Sequence, residues 1–369
     1  MSYKYPVYQP SLGSKEKENV LECLDSTWIS SKGKFITQFE NSFSEFIGVK
    51  HSAAVCNGTV AIHVALLALG IGDGDEVIVP SFTYIASVNA IRYTGAKPIF
   101  VDSDLQSWQM DPIKIEEKVT KQTKAILVVH LYGQPCEMDL ILSIAKKHKL
   151  FVVEDCAEAF GSLYKGNHVG TFGDISTFSF FGNKTITTGE GGMVVTNDPS
   201  LHEKVFRLKG QGLAKNREYY HDIIGYNYRM TNICAAIGCA QIERANELIE
   251  KKILLANWYE NKLRDLPIVF HSQVGEVKHS FWMVSILLHN SDEREKIRLH
   301  LKENGIETRP TFHPGHLMPM YFEKGVSLPI AENLGNRGIN LPSYPELNFE
   351  DIKFISKIIT EFFNKTGHK

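Results

Sequence analysis

The chain has 369 residues, with 40 lysines and arginines against 42 aspartates and glutamates, which gives a formal net charge of −2. Its hydrophobic share of 43% is typical of a globular protein and excludes disorder along the whole chain. A charge balance near zero argues against nucleic-acid or anionic-membrane binding, because a broad surface of that kind usually has an excess of basic residues. We therefore expect no nucleic-acid partner and no membrane, and any bound phosphate must be held locally.

The cysteines and the N-terminal sequence indicate the cellular compartment of the protein. Six cysteines are scattered without a Cys-x-x-Cys pair, which is typical of reduced, buried thiols rather than of a disulfide framework. The N-terminal residues lack the apolar core of a signal peptide, and no run reaches the ~18 apolar residues of a membrane span. These features predict a cytoplasmic protein.

Short apolar segments alternate with helical segments over the first three-quarters of the chain. Strands are predicted at 76–80, 97–102, 124–130, 150–155, 175–181 and 191–197, and helices between the earlier ones at 58–70 and 138–149. Continuous apolar strands separated by helices predict a largely parallel sheet that is covered on both faces. The last two strands are too close in sequence for a helical crossover, so we expect them to pair antiparallel or to lie at a bend of the sheet.

A long helical segment over 231–263 is expected to connect two domains. Beyond it the pattern changes to α+β, with a strand at 281–288 and helices at 293–305 and 349–363. We therefore predict a large α/β domain over 1–245 and a small α+β domain over 246–369.

Lys184 lies in a polar turn between two apolar strands, in FFGNKTITTGEGG. A lysine at the end of a buried strand can form an imine with an aldehyde cofactor, since partial desolvation lowers its pKa and supplies a free amine. An isolated lysine in such a turn would usually be a solvated loop residue. The neighbouring motifs favour the cofactor interpretation.

Several side chains could contact the ring of such a cofactor. Asp155 ends an apolar strand, where its carboxylate needs a positive partner such as the protonated pyridine nitrogen of pyridoxal 5′-phosphate (PLP). An N-cap or loop aspartate is the alternative. Glu158 could reach the phenolic oxygen of the ring or the imine, or lie at the surface. Tyr84 is favoured for stacking on the ring, and Phe82 for packing in the core.

The segment AAVCNGTVAIHV predicts a strand, a tight turn and a helix. Free amides at the helix N-terminus, at Gly58 and Thr59, together with the Thr59 hydroxyl, can bind a phosphate without a basic residue. A simple N-cap at Asn57 or Thr59 is the alternative. Ser179, on the strand before Lys184, could add a hydroxyl to the same phosphate.

Taken in order, NGTVAIHVALLALG, VEDCAEAFGS, GTFGDISTFSFFGNKTITTGEGG and GYNYRMTNICAAIG closely resemble motifs of the DegT/DnrJ/EryC1/StrS family of nucleotide-sugar aminotransferases, which are PLP enzymes. The resemblance extends from STWISSKGKFITQFE to RGINLPSYPEL. It implies the aspartate-aminotransferase-like fold (PLP fold type I): a large α/β domain whose mostly parallel seven-stranded sheet lies between helices, and a smaller α+β C-terminal domain.

The resemblance also implies residue roles. Lys184 would be the Schiff-base lysine and Asp155 the partner of the pyridine nitrogen. Asn227, in GYNYRM, matches a residue that reaches the PLP phosphate from the neighbouring subunit. A homodimer with shared active sites follows, and pairing of dimers into a tetramer stays open. The other implied cofactor contacts are Gly58, Thr59, Tyr84, Glu158 and Ser179.

Within the family, the motifs are most similar to members that transfer an amino group from L-glutamate to C4 of GDP-4-keto-6-deoxy-D-mannose, for O-antigen and lipopolysaccharide biosynthesis. Another nucleotide-linked keto sugar, with a 3-keto group or with UDP or dTDP, is the alternative. Related 3-dehydratases have histidine at the position of Lys184, so the lysine favours transamination. A ligand-sensing regulator and a nicotinamide-dependent oxidoreductase are disfavoured, the latter because no G-x-G-x-x-G follows an early strand.

Two loops supply candidate substrate contacts. The first contributes Trp28, Ser30, Ser31 and Lys32, and the second contributes Arg309, His313 and His316. The histidine pair has the spacing of two metal ligands, but no nearby aspartate or cysteine completes a set, so we expect no metal site.

Overall fold

The computed structural model describes residues 3–366. The helices of this part of the chain are α1 (Ser14–Asp25), α2 (Lys34–Ile47), α3 (Gly58–Ala68), α4 (Ile85–Tyr93), α5 (Met138–His148), α6 (Pro199–Lys209), α7 (Asn232–Glu243), α8 (Ala245–Leu263), α9 (Arg294–Glu303), α10 (Pro329–Arg337) and α11 (Phe349–Thr366). The strands are β1 (His51–Val55), β2 (Glu76–Pro80), β3 (Lys97–Val101), β4 (Thr123–Val129), β5 (Phe151–Asp155), β6 (Leu163–Tyr164), β7 (Asn167–His168), β8 (Ile175–Ser179), β9 (Gly192–Thr196), β10 (Ile268–Phe270), β11 (Val277–Lys278), β12 (Val284–Leu288), β13 (Arg309–Pro310) and β14 (Gly338–Leu341).

The largest sheet has seven strands in the order β1-β9-β8-β5-β4-β2-β3. Only β9 runs antiparallel to its neighbours; the other pairings are parallel. The strands are apolar and largely buried because helices cover both faces. The predicted fold class is confirmed, and so is the antiparallel pairing of the two closely spaced strands, β8 and β9.

The carboxyl ends of the parallel strands bring the candidate residues to one edge of the sheet. Asp155 is the last residue of β5 and Ser179 the last of β8. Tyr84 immediately precedes α4, and the Asn57 side chain caps α3 by accepting a hydrogen bond from the Val60 amide at 3.0 Å. Each residue follows or ends a strand of the same direction, so the four meet where ligands bind to open α/β sheets.

The second half of the structure contains a four-stranded sheet, β10-β12-β14-β13, packed with α9 and α11. The predicted long helix is two helices, because the chain leaves helical geometry at Arg244 between α7 and α8. Tyr5 packs in the same hydrophobic cluster as this second half and forms a β-bridge with Ile306. N-terminal residues therefore contact the part of the chain assigned to the other domain.

The division at Ala245 stays a prediction, and its outermost residues, 1–2 and 367–369, lie outside the described residues. Among residues 3–366, no helix combines the length and the apolar character needed to cross a membrane.

Candidate active site

A cavity of about 770 Å³ opens at the carboxyl edge of the large sheet. It is bounded by the first turn of α3, the ends of β5 and β8, the turn after β8, and segments of the second half. Eight of the predicted site residues line it: Gly58, Thr59, Tyr84, Asp155, Glu158, Ser179, Lys184 and Arg309. Residues that are up to 251 positions apart in the sequence, Gly58 and Arg309, thus face one space.

The backbone around Lys184 is held from two sides. The Tyr8 hydroxyl donates a hydrogen bond to the Lys184 carbonyl, and the Trp282 indole N–H donates to the Asn183 carbonyl at 2.7 Å. The Lys184 Nζ lies 3.9 Å from the centre of the Trp282 ring. Burial lowers the pKa of Lys184, although Glu158 and Asp155 oppose that shift. The site therefore favours the neutral amine more than water does.

Asp155 presents a fixed carboxylate to the cavity. It is 4% exposed, its Oδ2 accepts from the Ser87 hydroxyl at 2.7 Å, and its Oδ1 accepts from the Ala157 amide at 3.0 Å. Burial raises the pKa of Asp155, while these two hydrogen bonds and Lys184 oppose the rise. A buried carboxylate held in this way suits a ligand that carries a positively charged N–H.

Glu158 is the second carboxylate of the cavity. Its Oε2 accepts a hydrogen bond from the Tyr132 amide at 2.9 Å. Burial raises the pKa of Glu158 to about 7, with Lys184 acting in the opposite direction. A proton near Glu158 and Lys184 is therefore exchangeable at neutral pH, as general acid–base chemistry requires.

The first turn of α3 and the end of β8 form a narrow cradle. A Cβ built on Gly58 would lie 2.7 Å from the Ser179 Cβ and 2.9 Å from its Oγ, so only glycine fits there. The amides at the start of the helix and the hydroxyls of Thr59 and Ser179 border the same space. Amides and hydroxyls at a helix N-terminus suit a phosphate, so the cradle fits the phosphate of PLP without a basic residue.

Tyr84 and Phe82 have the environments that the sequence favoured for them. Tyr84 is 56% exposed and lies on the cavity wall, with its ring centre 5.6 Å from that of Phe312. Phe82 is fully buried in the core. Of the two rings, only the Tyr84 ring borders the cavity and can cover a flat ligand there.

Other predicted residues lie outside this cavity. Asn227 is exposed, and its Oδ1 lies 3.4 Å from the Nη2 of Arg229, which donates to it. Trp28 borders a separate cavity of about 370 Å³, next to the Asn232 side chain that donates to the Trp28 carbonyl. The remaining residues of that loop, Ser30, Ser31 and Lys32, do not border the large cavity either.

The two histidines of the second loop are also outside the cavity. His313 is exposed. His316 is buried, with Nδ1 2.7 Å from the Ser81 hydroxyl and Nε2 3.2 Å from Glu332. Both of its ring nitrogens are thus engaged within the chain, and its contact with the substrate stays a prediction.

One group of metal-ligating atoms occurs among the described residues: His130, Glu154 and Cys156, all within 4.8 Å of one another. The Glu154 carboxylate already interacts with His130 and accepts hydrogen bonds from three amides of the 170–173 turn. Burial raises the pKa of the Cys156 thiol to about 12, which disfavours the thiolate that a metal needs. The group is explained by its internal hydrogen bonds.

The sequence did not reveal several residues that shape the cavity. Ser87 binds Asp155 from 68 positions away, and Trp282, predicted only as part of a strand, contacts the lysine side chain. Phe312 covers the Tyr84 side of the cavity. None of these residues carries a local signal, because each acquires its role only through packing between distant segments.

Comparison with known proteins identifies the family. Residues 10–360 match the DegT/DnrJ/EryC1/StrS aminotransferase family. The chain belongs to this family. It is 62% identical over 359 residues to the GDP-perosamine synthase of Escherichia coli O157:H7, covering 97% of this chain and 98% of that protein. It is 50% identical over 351 residues to the GDP-perosamine synthase of Caulobacter vibrioides, covering 94% and 95%.

A solved structure agrees with this assignment. The putative sugar aminotransferase Spr1654 from Streptococcus pneumoniae, in its PLP form, superimposes with a TM-score of 0.93 at 27% identity, covering 98% of this chain and 99% of that one. The same protein is also known in a PMP form. The aminotransferase class is confirmed, and the expectation of a PLP cofactor is confirmed for the family.

Proposed function

We propose that this enzyme transfers the amino group of L-glutamate to the C4 keto group of GDP-4-keto-6-deoxy-D-mannose, giving GDP-perosamine for O-antigen and lipopolysaccharide biosynthesis. The observation that carries the proposal is the meeting of Lys184, Asp155 and Glu158 in one cavity of a chain that is 62% identical to a GDP-perosamine synthase. The lysine, which the related dehydratases replace, supports transamination.

The cavity residues would hold PLP at three points. Gly58, Thr59 and Ser179 would bind the phosphate through amides and hydroxyls. The Asp155 carboxylate would accept the pyridine N–H, and the Tyr84 ring would cover the cofactor ring. When bound, PLP carries the amino group between the two substrates and withdraws electrons from the carbon that loses a proton.

The protein contributes proton transfer and orientation. The Lys184 amine accepts a proton from the substrate carbon and returns it, because burial lowers its pKa and favours the neutral form. Glu158 lies close enough to influence the charge of the lysine, and its pKa of about 7 lets it hold or release a proton at neutral pH. Asp155, fixed by Ser87 and Ala157, keeps its charge directed into the cavity.

A product assay tests the substrate. The purified enzyme is incubated with L-glutamate and GDP-4-keto-6-deoxy-D-mannose, and NMR identifies the position and stereochemistry of the new amine. A 4-amino product is expected. Parallel reactions use UDP- and dTDP-linked 4-keto and 3-keto sugars. Preferred turnover of one of these, or a product that lacks the 3-hydroxyl, contradicts the proposed function.

We also propose a homodimer in which Asn227 of a second copy completes the phosphate site; a dimer or a pair of dimers meets this requirement. Two observations support it: Asn227 is exposed and outside the cavity of its own chain, and the neighbouring segment exposes large apolar side chains, with Tyr219 94% and Ile224 86% exposed. Exposed apolar surface of this kind is typical of an interface.

Mixing two variants tests the shared site at limiting PLP. Lys184→Ala lacks the amine, and Asn227→Ala is expected to bind PLP weakly. After subunit exchange, half of the sites in mixed dimers combine an intact Lys184 with an intact Asn227, so activity should rise above that of either variant. Asn216→Ala, an exposed asparagine nearby, serves as a control with normal PLP affinity. A monomer in light scattering, or no recovery on mixing, refutes the shared site.

A cytoplasmic location is part of the same proposal. All six cysteines are free, as in proteins of reducing compartments. Fractionation of producing cells, with the enzyme in the cytoplasmic fraction, is the expected result.

A further inference from the structure

Tyr132 contacts the wall of the active-site cavity from behind without lining it. It follows β4 in the short turn Leu131–Gly133 and is fully buried. Its backbone has φ 55° and ψ 7°, a left-handed conformation that residues other than glycine rarely adopt. A strained backbone conformation of this kind is kept only where surrounding contacts stabilise it. Such conformations are concentrated at functional sites.

The left-handed turn directs the Tyr132 amide towards the catalytic carboxylate. The amide donates to the Glu158 Oε2 at 2.9 Å. Among the described residues, no other hydrogen bond to the Glu158 carboxylate is present. The direction in which Glu158 points therefore depends on the conformation of residue 132.

The Tyr132 side chain is held by two aromatic residues of the second half. Its ring is nearly parallel to the rings of Trp282 and Phe312, with centres 6.0 Å and 5.1 Å away and interplanar angles of 10° and 12°. Its hydroxyl oxygen accepts a hydrogen bond from the Phe312 amide at 3.1 Å. Both aromatic residues line the cavity, and Trp282 contacts the Lys184 amine.

We propose that Tyr132 is a positioning residue that fixes Glu158, Trp282 and Phe312 in one arrangement around Lys184. The Tyr132 backbone amide orients the Glu158 carboxylate. The Tyr132 ring and hydroxyl hold Trp282 and Phe312, the aromatic side chains that the sugar substrate would contact. The proposal rests on the proposed aminotransferase function and deepens it, because it joins the acid–base side of the cavity to its substrate side through one buried residue.

Two variants of the PLP-loaded dimer separate these roles. Tyr132→Phe keeps the ring but leaves the Phe312 amide without its acceptor. We expect the KM for the keto-sugar nucleotide to rise about tenfold, while the rate of the glutamate half-reaction stays within about twofold. Tyr132→Leu also loses the aromatic contacts that hold the turn. We expect the pH midpoint of the visible absorbance of the bound cofactor to shift by about one unit, because Glu158 moves relative to Lys184.

Tyr259→Phe is the matched control. Tyr259 is equally buried and its hydroxyl donates to the Pro342 carbonyl at 2.9 Å, but it packs in the hydrophobic cluster of the second half, apart from the cluster that contains Tyr132 and Trp282. We expect it to lower the melting temperature without changing the KM or the absorbance midpoint. If the Tyr132 variants behave as this control does, the residue is only structural and the proposal is overturned.

The measurements also separate this proposal from the proposed function. The absorbance midpoint requires no sugar substrate, so it reports on Tyr132 even if another keto sugar proves to be the acceptor. If Tyr132→Leu does not fold, Tyr132→Phe still decides: an unchanged KM for whichever keto sugar the wild type uses refutes the positioning role.

Discussion

Gly58→Ala tests whether the start of α3 holds the cofactor phosphate. The new Cβ would lie 2.7 Å from the Ser179 Cβ, whereas carbon atoms in contact are usually about 3.5–4.0 Å apart. The helix N-terminus and the end of β8 must therefore separate by about 1 Å. Overpacking of this size costs about 1–3 kcal/mol of folding stability.

The same displacement moves the amides of the first helical turn away from the phosphate. A hydrogen bond to a charged group contributes about 1.5–3 kcal/mol, so the loss of one such bond weakens binding by about 10- to 100-fold. Titration of the apoprotein with PLP, followed by absorbance, measures this dissociation constant. At saturating PLP, turnover should largely recover, because Lys184 and Asp155 are unchanged.

Gly72→Ala is the control for this experiment. A Cβ at Gly72 would meet its nearest neighbour, the Thr94 carbonyl oxygen, at an ordinary distance of 3.8 Å, and Gly72 does not border the cavity. We expect normal PLP affinity in that variant. If Gly58→Ala binds PLP within about twofold of the wild type, the cradle does not hold the phosphate and our reasoning is refuted.

Three further predictions concern ionisable groups. Lys184→Ala should abolish both turnover and the visible absorbance of the bound cofactor; retention of both would contradict its role. Glu158→Gln removes a group with a pKa of about 7, so the rate of the glutamate half-reaction should vary less between about pH 6 and 8 than in the wild type. His271→Gln should reduce acid sensitivity: burial lowers the pKa of His271 to about 4, so the unfolded chain takes up a proton near pH 6.5 before the folded one does. The free energy of unfolding therefore falls by about 3 kcal/mol as the pH is lowered from 7 to 4. Urea unfolding, with exposed His289→Gln as control, should show a smaller loss in the variant; an equal loss would disprove the assignment.

The parallel sheet and the edge at which the candidate residues lie followed from local patterns. Apolar runs separated by helices already indicated a parallel sheet, and parallel strands align their carboxyl ends at one edge. Asp155 ends its predicted strand and Ser179 lies near the end of another, so their meeting at that edge was predictable. The break at Arg244 was not predictable, because the residues on both sides of it form helices and only the backbone of Arg244, with φ −101° and ψ 7°, leaves helical geometry.

Long-range contacts supply what the local sequence could not show. His316 occurs in a polar loop, yet the packing of that loop against Ser81 and Glu332 buries it and occupies both ring nitrogens. Nothing in the local sequence singles out Tyr132. Its contacts with Glu158 and Phe312 connect positions that are 26 and 180 residues away.

The sequence by itself determined the alternation of strands and helices, the charge balance that argues against a broad basic surface, and the chemical identity of Lys184, Asp155 and the glycine at the start of α3. These features depend on residue type and on neighbours a few positions away, which a linear pattern contains. Only the tertiary structure decided the raised pKa of Glu158, the hydrogen bonds that fix Asp155, and the aromatic wall around the lysine. Burial and charge proximity depend on distances in space, and those distances arise when remote segments pack together.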